Sequence, residues 1–81
     1  MKTLKVKSLD HLKELCLNKQ ASFHIDLGMV RSSKDIYYNG KSFEIMHNVD
    51  GSDEILTDDE MKDTNIYRAI MAGNFYQQIY G

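Results

Sequence analysis

The side chains in this chain best suited to chemistry are ones that bind. Arg31, Lys34, Tyr37 and Lys41 flank an Asn39-Gly40 dipeptide and bring guanidinium, ammonium and phenol groups into one short stretch. Such groups contact phosphates, stack on bases and anchor protein interfaces. Farther along, Asp53, Glu54, Asp58 and Asp59 supply carboxylates dense enough to stand in for phosphates against a basic cleft. These two groups form the candidate partner-binding set.

Groups that make or break bonds are poorly placed. Cys16 falls on the apolar stripe of an expected helix, where a thiol is a small hydrophobe rather than a nucleophile. Ser32 and Ser33 have no base that the spacing identifies, and the glycines form neither a GxGxxG nor a GxxxxGK[ST] pattern. The run NVDGSDEILTDDE is similar to a calcium loop only around Gly51. Aligning that glycine puts Met46 first and Thr57 twelfth, where an oxygen ligand and a bidentate glutamate are required. His11, His24 and His47 lack HxH or HxxxH spacing. The expectation is a non-enzyme with no catalytic residue, no metal and no cofactor.

Local signals define the elements that must position the binding set. MKTLKVK alternates as a short edge strand or lead-in. Ser8 caps a helix whose stripe is Leu9, Leu12, Leu15 and Cys16, with Asp10 at its positive end. ASFHIDLG alternates strictly, so Phe23, Ile25 and Leu27 share one face and His24 lies on the other. Asn39-Gly40 predicts a type I′ hairpin, which sets Tyr38 opposite Lys41 and Ile36 opposite Phe43. Ile36, Tyr38, Phe43 and Ile45 then face the core. Arg31, Ser33, Asp35 and Tyr37 lie on the other face with Ser42, Glu44 and Met46.

A second turn at Asp50-Gly51 leads into the short strand EILT. TDDE is a capping box, in which Thr57 caps and Glu60 reaches back to start a one-turn helix through Met61. Thr64 or Asn65 caps NIYRAIMA, which buries Ile66, Ala69 and Ile70 and stops at Gly73. NFYQQIY returns as an edge strand open to a partner or a second copy. The order predicts one α+β domain over residues 1–81. It is a two-layer sandwich: an antiparallel sheet of three to five strands, with the N-terminal helix and C-terminal helical segment on one face.

Composition agrees with a globular chain, since 81 residues are 42% hydrophobic and 27% charged. One cysteine excludes an internal disulfide framework, and no apolar run reaches membrane-spanning length, so a cytoplasmic location is expected. The net charge of −2 hides an asymmetry. Residues 1–41 carry 8 Lys/Arg against 4 Asp/Glu, a balance of +4, and residues 42–81 carry 2 against 8, a balance of −6. A dipolar chain of this kind suits docking onto a charged partner.

The run from Arg31 to Gln77 resembles a class of short proteins found in phages and other bacterial mobile elements. The resemblance rests on an RSSK-x-I-x-Y strand (Arg31 to Tyr38), on Phe43 followed by Asp50-Gly51-Ser52, on the cap Leu56-Thr57 with Glu60, and on Thr64-Asn65-Ile66 with Ala69, Ile70 and Gly73. It implies a stoichiometric inhibitor of a host defence system, of the anti-CRISPR kind. Such an inhibitor would bind a nuclease effector protein, with or without its guide RNA, and would occlude its nucleic-acid channel. Two alternatives stand beside it. One is a small RNA- or DNA-binding module using the basic hairpin with Lys2, Lys5, Lys7 and Lys13; the other is a homodimeric structural or regulatory protein joined through its last strand.

Overall fold

A computed structural model describes residues 2–29, 31–48 and 51–79. The elements run β1 (Lys2–Lys5), α1 (Leu9–Cys16), β2 (Ala21–Asp26), β3 (Arg31–Tyr38), β4 (Ser42–His47), β5 (Asp53–Thr57), α2 (Asp58–Met61), α3 (Asn65–Ala72) and β6 (Phe75–Ile79). The chain is α+β, with an open six-stranded sheet in the order β1-β6-β2-β3-β4-β5. Every neighbouring pair is antiparallel. Six strands replace the expected three to five, because both chain-terminal stretches join the sheet.

The caps form as their residue types dictate. The Ser8 hydroxyl accepts from the His11 amide. Thr57 and Glu60 form a complete capping box, and Thr64 accepts from the Tyr67 amide. Gly73 closes α3 at φ +80, a conformation that suits glycine best. Helix α1 has no glycine at its end; Asn18 takes φ +55 instead and hydrogen-bonds the Tyr38 carbonyl through its amide at 2.8 Å.

Side-chain alternation then sorts the sheet into two faces. Phe23, Ile25, Ile36, Tyr38, Phe43, Ile45 and Phe75 meet Leu9, Leu12, Cys16, Met61, Ile66, Ala69 and Ile70 in a single core, so all three helices cover the same face. The rings of Phe23 and Phe75 stack at its centre, 5.4 Å apart. Burial pushes the Cys16 thiol up to about 12, and its Sγ donates to the Leu12 carbonyl, so it stays protonated at neutral pH.

Three expectations need correction. The hairpin is not a type I′ turn: Tyr38 pairs with Phe43 and Ile36 with Ile45, two residues away from the expected register. Asn39 keeps a negative φ and uses its side-chain oxygen to accept from the amides of Lys41 and Ser42, both at 2.8 Å. A two-residue shift preserves side-chain parity, so every face assignment in the hairpin still holds. Second, β2 ends at Asp26, and Leu27 lies largely exposed instead of facing the core. Third, β6 is not an edge. It lies between β1 and β2 and pairs with both. Asp50 in the expected second turn and Tyr80 at the chain end lie outside the described residues.

Candidate functional site

Among the described residues no element covers the face of the sheet opposite the helices. Its rows read directly from the strand register. One row runs Thr3, Gln78, Ser22, Asp35, Met46, Asp53, and its neighbours are Lys5, Tyr76, His24, Ser33 on one side and Tyr37, Glu44, Ile55 on the other. In the first neighbour row His24 finds partners on the same face. Tyr76 stacks on His24 at 5.5 Å, and the Gln78 amide nitrogen lies 3.2 Å from His24 Nδ1. His24 is buried there without a covering helix. Desolvation holds its pKa below the ordinary histidine value, with the nearby Arg31 acting in the same direction and Asp26 opposing.

The β3–β4–β5 sector of this face is different. Asp35, Tyr37, Glu44, Met46, Asp53 and Ile55 line a shallow concavity of about 520 Å³, with Gln20 and Glu54 at its margins. Met46 and Ile55 are exposed, Ile55 by 68%. Asp35 accepts from the Ser22 hydroxyl at 2.8 Å, but among the described residues no cation pairs with Asp35, Glu44 or Asp53. Three carboxylates and three large apolar groups therefore alternate on one surface. Acidic groups interleaved with exposed apolar ones suit a partner that is both cationic and apolar.

The candidate residues fall in several places. Tyr37 and Asp53 share the concavity. Arg31 is exposed at the start of β3, and Lys41 is exposed in the turn at the other end. Eight residues of strand separate those ends by roughly 25 Å. Lys34 does not join them, because it lies on the helix side, buried, with its Nζ 2.8 Å from His47 Nδ1. Glu54 lies on that side too, 2.8 Å from His47 Nε2, completing a chain Lys34–His47–Glu54 across three strands. Asp58 pairs with Lys13 at 2.5 Å, and this hydrogen bond raises the lysine pKa. Asp59 is almost fully solvated. Asp35, Glu44, Met46 and Ile55 were not in the candidate set, although parity in the hairpin already placed the first three on the uncovered face. What was missing was β5, whose pairing with β4 brings Asp53 and Ile55 alongside.

The two charge halves separate only at the sheet edges, because inside the fold Lys13 pairs with Asp58 and Lys34 reaches Glu54 through His47. Lys2 and Lys5 lie on one edge strand and Asp53 and Glu54 on the other, five strand spacings or roughly 24 Å apart. The Lys13–Asp58 pair ties α1 to α2 between them. Among the described residues no cluster of His, Cys, Asp and Glu has metal-binding geometry, and no helix is long and apolar enough to cross a membrane. No family model, curated protein or solved structure matches the chain.

Proposed function

We propose that this chain is a small non-catalytic binding protein of phage or mobile-element origin. It inhibits a host defence nuclease of the CRISPR type by seating its acidic, apolar sheet sector on the effector's basic nucleic-acid channel. The observation that carries the reading is the alternation of Asp35, Glu44 and Asp53 with Tyr37, Met46 and Ile55 on a face that none of the described helices covers. The register sets Asp35 and Asp53 on either side of Met46 and Glu44 diagonal to both, so a cationic channel can meet all three carboxylates while burying Met46 and Ile55.

The basic-hairpin reading has less to draw on. Arg31 and Lys41 stand at opposite ends of β3 and Lys34 lies beneath the sheet, so they offer no continuous phosphate track.

The test adds purified chain to effector ribonucleoprotein in a cleavage assay, with Asp35→Lys/Asp53→Lys as the control. Cleavage is expected to fall at stoichiometric chain, and the control is expected to restore it by at least tenfold. Undiminished cleavage, together with unimpaired immunity in cells making the chain, would end the proposal. A chain that instead shifts RNA or DNA on a gel, with steep salt dependence, would replace it with the nucleic-acid reading.

A further inference from the structure

The sheet has two free edges, β1 and β5, each hydrogen-bonded to a single neighbour among the described strands. Both are open to solvent: all of β1 is exposed, and all of β5 except Leu56. Unpaired edges are templates for further strands, and proteins blunt them with charge. Here the charges have opposite signs. Lys2 and Lys5 mark one edge, and Asp53 and Glu54 mark the other. That arrangement blocks like-on-like pairing, because β1 against a second β1 sets lysines together and β5 against a second β5 sets carboxylates together. It does not block β1 against β5.

Strand direction permits the same pairing. With six strands and every neighbouring pair antiparallel, β1 and β5 run in opposite directions. A second copy placed beside the first in the same orientation therefore sets its β1 antiparallel to β5. The covered faces stay on one side and the uncovered faces on the other. Side-chain parity fits as well. Lys5 lies in the uncovered-face row with Tyr76, and Asp53 lies on the same face beside Met46.

We infer that copies of this chain associate head to tail through β1 of one and β5 of the next, with Lys5 opposite Asp53 and Thr3 opposite Ile55. The contact extends the sheet by main-chain hydrogen bonds, covers the exposed Ile55 and Leu4, and pairs the Lys5 ammonium with the Asp53 carboxylate. Because the contact is heterologous and each added copy brings the sheet's twist, the product is an open row rather than a closed dimer. The edges are short, so the association is weak and concentration-dependent.

Sedimentation equilibrium of the intact chain, from about 20 µM to about 2 mM at low salt, tests the inference over the affinities expected of so small a contact. The weight-average mass is expected to climb past the 9.4 kDa of one chain without levelling at a dimer, and to return toward it in about 0.5 M salt. Lys5→Glu and Asp53→Lys each juxtapose like charges and should stay monomeric. Both sites are exposed, and circular dichroism checks that each variant folds. An equimolar mixture of the two should associate again, because each variant then meets a complementary edge on both sides. A wild-type chain that stays at monomer mass throughout, a ceiling at dimer mass, or either variant associating alone as the wild type does would overturn the inference.

Discussion

Asp53 and Glu54 are neighbours in sequence with opposite circumstances. Glu54 points to the helix side of β5 and meets His47, which in turn meets Lys34. Asp53 points to the uncovered side and meets Met46 across the strand, with no cation in reach among the described residues. The same division separates Lys34 from Asp35 two strands further in. On the covered face Lys34, His47 and Glu54 are linked into the fold, whereas on the uncovered face Glu44 and Asp53 have no cationic partner among the described residues. If the proposed role holds, stability and binding lie on opposite sides of the sheet.

The largest test of that division lies at the core. Phe75→Ala removes the ring stacked on Phe23 and is expected to cost about 3–5 kcal/mol in urea unfolding, close to the whole stability of so small a domain. A loss under about 1 kcal/mol would mean the covered face does not carry the fold. A smaller effect is expected at the polar margin of the same face. His47→Ala removes the group joining Lys34 to Glu54 and should cost about 1–3 kcal/mol. A neutral result would show that the chain Lys34–His47–Glu54 is a surface contact without structural weight.

His24 sharpens the comparison from the uncovered side, since it is the one histidine there held buried and neutral. Its folded pKa lies below that of the unfolded chain, so on acidification the unfolded state takes up a proton that the folded state resists. The stabilisation is complete above the unfolded value of about 6.5 and is lost as pH falls from there toward the depressed folded value. His24→Gln should therefore flatten the stability profile between about pH 7 and 5 relative to the wild type. Parallel profiles would contradict this account of the histidine.

How much of this was legible in the sequence follows from the range of each interaction. Ser8, Thr57 with Glu60, Thr64 and Gly73 act within one helical turn, and each cap forms where its residue type placed it. Strand parity is equally local, which is why Asp35, Glu44 and Met46 were assigned to the correct face even though the hairpin register was two residues off. The register failed because Asn39 had two ways to make a turn, and the accepting side chain prevailed over the positive φ. The position of β6 between β1 and β2 was beyond reach, because pairing strands from opposite ends of the chain leaves no local mark. The candidate surface inherits that limit: its carboxylates are in plain view, but their alternation with Ile55 exists only once β5 is laid beside β4.

The smallest effect is the most discriminating. Asp53→Asn removes a carboxylate that has no cationic partner among the described residues, so it should leave stability within about 0.5 kcal/mol of wild type. Glu54→Gln, one residue away and half-exposed, exchanges a charged acceptor at His47 for a neutral one and should lower stability, by no more than about 1 kcal/mol. The two substitutions delete the same charge from adjacent positions of one strand, so net charge and unfolded-state effects nearly cancel between them. What remains is the face each side chain points to. A thermal melt in which both variants move together, in either direction, would show that the uncovered face is held by the same interactions as the covered one. Its carboxylates would then not be reserved for a partner.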